Sequence, residues 1–157
     1  MLAILILLGL LGAATIGGVF FAFSTFVMRA LAQLPPAQGI AAMQRINVVV
    51  LNPLFLGTFM VTAVLQGLSA LLALVAWVPV RTPLLLAAAV SYLAGSVGVT
   101  MACNVPRNER LRMLPAESDD AREYWPIYLQ EWTFWNHIRT AASLAAAAGG
   151  MLALMAW

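Results

Sequence analysis

The side chains able to recognise a ligand are few and unevenly placed: Asn47, Asn52, Asn104, Arg107, Asn108, Asn136, His137 and Arg139. Amides donate and accept hydrogen bonds at once, an arginine presents a planar fork of N–H donors, and an imidazole changes charge near neutral pH. All of them map to helix ends that meet one face of a membrane. Their convergence predicts a pocket with an apolar floor and a polar mouth, suited to a small, flat, lipophilic substrate.

Two stretches hold most of this chemistry. In Trp132-Thr133-Phe134-Trp135-Asn136-His137-Ile138-Arg139-Thr140, helical spacing puts Trp132, Asn136, Arg139 and Ser143 on one stripe, with Trp135 beside it and His137 about 100° round from Asn136. Arg139 near the hydrocarbon boundary needs an anionic partner, for which Glu131, Glu109, Glu123 or a ligand oxygen qualifies; snorkelling to headgroup phosphates is the other solution. In Asn104-Val105-Pro106-Arg107-Asn108-Glu109-Arg110-Leu111, the proline has no N–H to donate, so Asn104 reads equally as a cap for a new helix and as a site residue. His137 reads first as a hydrogen-bonded structural residue, and Asp119-Asp120 with its neighbouring glutamates as a solvated loop. No metal-ligand set is evident.

Other chemistries are excluded by counting. One cysteine, Cys103, rules out an intrachain disulfide or a CxxC redox pair, one histidine rules out bis-histidine haem ligation within the chain, and the absence of lysine rules out a Schiff base. The net charge of +2 comes from arginines scattered over membrane-flanking loops, which sets topology rather than nucleic-acid binding.

The elements that position these residues follow from hydropathy. Of 157 residues, 63% are hydrophobic and 9% charged, with a mean hydropathy of +0.93; an integral membrane protein is expected. Charges leave four open windows, 1–28, 46–80, 82–106 and 140–157, and the expected fold is an all-α, four-helix transmembrane bundle forming a single domain, with spans over 3–28, 50–77, 83–104 and 133–156. The first window is too long for the apolar core of a cleaved signal and reads as a retained span. Pro35 and Pro36 end it and start a short interfacial helix before a break at Asn52-Pro53. A polar loop, roughly 105–131, separates the last two spans, and Tyr124, Trp125, Tyr128, Trp132, Phe134 and Trp135 read as an interfacial belt leading into a final helix that continues through Ala141 to Trp157.

Small residues at Gly9, Ala13 and Gly17, and again at Ala94, Gly98 and Ala102, permit close helix packing, within the chain or in a homo-oligomer. Thr58, Thr62, Gln66 and Ser69 make a polar stripe on the second span, and Ser96, Thr100 and Asn104 another on the third; such stripes face protein rather than lipid. Seven arginines lie in 29–45 and 107–139, against Arg81 on the other side. The positive-inside tendency then places both long connections in the cytoplasm and both termini outside, in a multi-pass arrangement that suits a bacterial inner membrane.

The chain resembles the small four-helix membrane proteins described as anthrone oxygenase-like, a family otherwise described as a domain of unknown function. Nearly the whole length takes part, through Gly18-Val19-Phe20-Phe21-Ala22-Phe23-Ser24 with Val27-Met28, Met43-Gln44-Arg45-Ile46-Asn47, and the two stretches 104–111 and 132–139. Arg29 and Arg107 stand where the family pattern has proline and leucine. Some fungal relatives are associated with oxidation of anthrones to anthraquinones. The resemblance implies that Arg139 and Asn136 stabilise an enolate oxygen, His137 takes the proton, Trp132 and Trp135 stack on the substrate, and Asn47, Asn104 and Asn108 complete the polar wall. An anthrone enolate is electron-rich enough to reduce O2 directly, so no cofactor is expected.

The competing class is a non-enzymatic membrane protein that binds lipid or quinone, or an accessory subunit. Solute transport is disfavoured, since no ionisable residue lies mid-window.

Overall fold

The computed structural model describes residues 1–156; Trp157, which the last helix was expected to reach, lies outside the described residues. Five helices make up the fold, α1 Leu2–Ala32, α2 Pro36–Val49, α3 Pro53–Val75, α4 Arg81–Met113 and α5 Asp119–Met155. All but α2 are long and apolar enough to cross a membrane. Local chemistry sets the breaks. Pro36 opens α2 at its first position, and Asn52 caps α3 by accepting from the Phe55 N–H at 3.0 Å, with Pro53 next in line. Ser118 caps α5 through the Ala121 N–H at 3.2 Å, and Asp119 and Asp120 face the positive end of that helix.

Three apolar clusters stack along the bundle. Ile6, Ala73, Leu85 and Ala153 close the end that holds both termini. Ala13, Ile16, Phe20, Phe59, Ala63, Ala88, Tyr92 and Ala146 fill the middle. Met28, Leu31, Ile40, Met43, Leu111, Tyr124, Trp125, Tyr128 and Trp132 fill the opposite, polar end, where α2 lies across the bundle. Gln44 of α2 pins that end, its Nε2 donating to the carbonyls of Leu111 and Leu114 at 2.8 Å each.

The small-residue stripe of α1 packs as expected. A methyl at Gly17 would stand 2.9 Å from Leu144, and Gly9 and Ala13 are buried. The stripe of α4 does not, since Ala94 and Ala102 face outward.

Two expectations are corrected. The polar loop 105–131 contracts to a turn at 114–118, because α4 continues through Pro106 and α5 starts at Asp119. Pro106 stands in the first turn after a widened, π-helical stretch at Thr100–Asn104, where a missing N–H costs little, and Pro126, an exposed residue, lies inside α5. Nor do the aromatics form a belt. Tyr124, Trp125, Tyr128 and Trp132 are buried, with the Trp125, Tyr128 and Trp132 rings stacked in series at 5.7 and 6.4 Å, and only Phe134 of the six is exposed. A turn-by-turn repeat at 124, 128 and 132 points every ring inward.

Candidate functional site

At the polar end, the inward face of α5 carries Trp132, Asn136, Arg139 and Ser143, all buried. Arg139, only 5% exposed, does not snorkel. Its Nη2 donates to Asn136 Oδ1 at 2.6 Å and its Nη1 to Thr100 Oγ1 at 3.2 Å, while the guanidinium lies 4.1 Å from the Phe20 ring centroid and 5.1 Å from that of Trp132. Its Nε has no partner. None of the carboxylates that might have neutralised it forms an ion pair with it. Glu131 pairs with Arg107 and Glu109 with Arg112, each at 2.8 Å, and Glu123 is exposed. A buried cation is thus held by ring faces and neutral dipoles alone, an arrangement that favours an incoming anion.

Asn136 orients it. The amide Nδ2 donates to the Phe20 carbonyl and to Ser24 Oγ, both at 2.7 Å, and Ser24 Oγ in turn meets Thr140 Oγ1 at 3.0 Å. These contacts fall where α1 widens into a π-helical turn at Phe23–Val27, which interrupts the regular ladder of backbone bonds beside Phe20. On α4 the π-helical stretches Ser91–Gly98 and Thr100–Asn104 carry Ser96, bonded to Ser143 at 3.0 Å, and Thr100. Both helices facing this part of α5 are therefore widened where they meet its polar stripe.

A second network joins α2, α4 and α5. Tyr128 donates to Asn108 Oδ1 at 2.9 Å and accepts from Asn47 Nδ2 at 3.4 Å, and Trp132 Nε1 donates to the same Asn108 oxygen at 2.8 Å. Sequence reasoning missed Tyr128 as a site residue by assigning it to the interface; its four-residue spacing from Trp132 was the available signal. Thr100, noted only as part of a polar stripe, carries the same spacing signal from Ser96 and Asn104.

Between these networks lies a cavity of about 310 Å³, walled by Val19, Phe20, Phe23, Ile46, Phe55, Phe59 and Val105 and edged by Asn47, Thr100, Asn108, Glu109, Arg112, Trp132 and Arg139. That is within the roughly 300–1,000 Å³ of small-molecule sites. Its lip is formed by Val48, Leu51, Leu56, Met60 and Met101, all exposed apolar residues of α2, α3, the turn between them and α4. The opening therefore faces the flank of the bundle, where lipid chains would lie.

Of the predicted site residues, Asn47, Asn108, Trp132 and Arg139 line this cavity, and Asn136 holds Arg139 from behind. Asn104 does not line it, nor does it cap a helix: its Nδ2 donates to the Trp132 carbonyl at 3.2 Å, and its buried Oδ1 is unpartnered. Trp135 packs edge-on against Phe134 and under the Arg107 guanidinium at 6.0 Å. His137 is exposed and lines a separate groove with Ser24, Arg29 and Gln130. Among the described residues no three His, Cys, Asp or Glu side chains gather in a position to hold a metal ion.

The family described as anthrone oxygenase matches residues 48–149, a stretch that contains Asn104, Asn108, Trp132, Asn136 and Arg139. No curated protein and no solved structure matches the chain.

Proposed function

The chain belongs to the anthrone oxygenase family, and we propose that it oxidises a small, flat, lipophilic anthrone-type substrate with O2 in the cavity edged by Arg139. The observation that carries this reading is the guanidinium itself, buried without a carboxylate and with Nε free, on the wall of an apolar cavity. A ligand oxygen that becomes negative during reaction supplies the missing charge, and stabilisation that arises only then accelerates the step.

An anthrone carries an acidic ring methylene opposite its carbonyl. Removal of one methylene proton gives an enolate whose oxygen faces Arg139, and Glu109, the one carboxylate on the cavity wall, accepts that proton. The enolate passes one electron to O2; the carbon radical and superoxide combine, and protonation gives a hydroperoxide. Loss of water from that hydroperoxide leaves the anthraquinone, so anthrone and O2 yield anthraquinone and one water. Trp132 and Phe23 supply ring faces for the planar substrate, while Asn136 positions the guanidinium. The arginine asymmetry between the two ends supports, by the positive-inside tendency, a site on the cytoplasmic side with the termini opposite.

To test the proposal, purified protein in lipid nanodiscs is given an anthrone, and O2 uptake and quinone absorbance are followed together. Stoichiometric acceleration over empty nanodiscs, lost in Arg139→Gln, is expected; a rate equal to empty nanodiscs overturns it. The apolar wall also suits a bound quinone, and saturable quinone binding without turnover would assign a binding role instead.

A further inference from the structure

On the other side of α5 from Arg139 runs a second, shallower groove of about 490 Å³, between the last turns of α1 and the first half of α5. Ser24, Met28, Arg29 and Ala32 form one bank, and Pro126, Leu129, Gln130, Thr133, Phe134 and His137 the other. The anthrone chemistry makes no use of it.

Its charge is one-sided. Arg29 is the only formally charged residue on its banks, and among the described residues Arg29 has no ion pair. His137, Gln130 and Thr133 add N–H and O–H donors, and no carboxylate lines the groove. The level is also distinctive, since Arg29 ends the uncharged run of residues 1–28 and therefore stands where a bilayer changes from hydrocarbon to headgroup. Ala32, Leu129 and the exposed Phe134 continue the groove as apolar surface.

We infer that this groove binds a phospholipid with an anionic headgroup, its phosphate held by Arg29 and His137 with Gln130 and Thr133 as neutral donors, and its chain laid along Ala32, Leu129 and Phe134. An unpaired guanidinium beside hydrogen-bond donors fits a phosphate oxygen cluster, and an apolar strip beside it fits an acyl chain rather than water. Free phosphate would satisfy only the polar half. The groove shares Ser24 with the hydrogen-bond network that holds Asn136, so an occupied groove braces the same turn of α1 that positions Arg139.

Thermal unfolding of the full chain in detergent micelles tests this, with phosphatidylglycerol, phosphatidylcholine or inorganic phosphate added in turn. Saturable stabilisation by phosphatidylglycerol above that by phosphatidylcholine is expected, with little from inorganic phosphate. Arg29→Gln should weaken the apparent affinity about fivefold, and His137→Gln should weaken it further. Arg45→Gln, an exposed arginine at the same end but outside the groove, should leave it unchanged. Equal stabilisation by both lipids, equal stabilisation by inorganic phosphate alone, or an unaltered response in Arg29→Gln each overturns the inference. Because binding is read without turnover, the outcome is independent of the oxidation chemistry.

Discussion

Arg139 and Asn136 stand three residues apart on α5 and are joined at 2.6 Å between Nη2 and Oδ1, while the Asn136 Nδ2 is spent on α1 at the Phe20 carbonyl and Ser24 Oγ. The cation on the cavity wall is thus fixed through an amide to the first helix, and it has no carboxylate of its own. Arg139→Gln should leave the bundle folded, since it removes an unpaired buried charge, yet lower anthrone turnover about 10²–10³-fold, the usual cost of losing an oxyanion donor. Arg139→Lys keeps the charge without the planar fork and should recover only part of that loss. Steady-state kinetics of both variants check this, and wild-type turnover in Arg139→Gln defeats it.

Asn136 acts differently, by positioning. Asn136→Leu leaves the Arg139 fork, the Phe20 carbonyl and Ser24 short of partners, and each buried polar group so stranded costs about 1–3 kcal/mol. Both stability and turnover should fall, the first measured by thermal unfolding. Asn136→Asp retains an acceptor for Arg139 and introduces a carboxylate beside it. With its charge internally neutralised, Arg139 should then bind an enolate poorly, so turnover falls, and stability falls too because a carboxylate oxygen faces the Phe20 carbonyl where the Nδ2 donor stood.

Glu109→Gln should reduce turnover about 10²–10⁴-fold, the range for loss of a general base, with quinone binding retained. The alternative base is His137, the proton acceptor that the family resemblance implied. A variant pair in which His137→Gln is the slower enzyme and Glu109→Gln is unaffected would put proton removal on the opposite side of α5 from Arg139.

How much of this was legible beforehand follows from what periodicity can and cannot encode. The inward stripe of Trp132, Asn136, Arg139 and Ser143 follows from a 3.6-residue repeat, and the break at Asn52-Pro53 from the helix-breaking proline. Helix lengths at the polar end were not legible, because charged residues in 105–131 are as compatible with a helix projecting beyond the membrane as with a loop. The position of His137 relative to Arg139 was within reach, since two residues along a helix turn a side chain by about 200°. What single-residue reasoning lacks is the partner helix: the widened turns Phe23–Val27 of α1 and Thr100–Asn104 of α4, which receive Asn136 and Arg139, contain neither proline nor glycine.

Glycines separate packing from propensity. Gly17→Ala brings a methyl to 2.9 Å from Leu144, and Gly149→Ala to 3.1 Å from Ala88 and 3.2 Å from the Leu84 carbonyl, so each should cost about 1–3 kcal/mol. Gly57 and Gly67 of α3 have open space where a Cβ would go. Gly67→Ala should therefore be neutral or stabilise by up to about 1 kcal/mol through helix propensity. Unfolding midpoints in one detergent rank the three variants, and destabilisation by Gly67→Ala as large as that by Gly17→Ala would contradict the packing described.

The cavity opens sideways, so the route to Arg139 should be through lipid rather than from water. Leu56 and Met60 of α3 face Met101 of α4 around the opening, and all three are exposed. A bulky ring there obstructs passage without touching Arg139, Asn136 or Glu109. Met60→Trp should therefore raise KM for an anthrone supplied from the bilayer and leave kcat close to wild type, because a barrier outside the chemical step changes access rather than the transition state. Met60→Ala, which widens the lip, should not raise KM. Measured in nanodiscs, the KM should also follow the concentration of substrate within the lipid rather than in bulk water, so adding lipid at fixed total substrate dilutes it and slows the rate. A rate that depends only on the aqueous concentration, together with a Met60→Trp enzyme of unchanged KM, would place the working entrance among Asn47, Asn108 and Arg112 at the polar end instead.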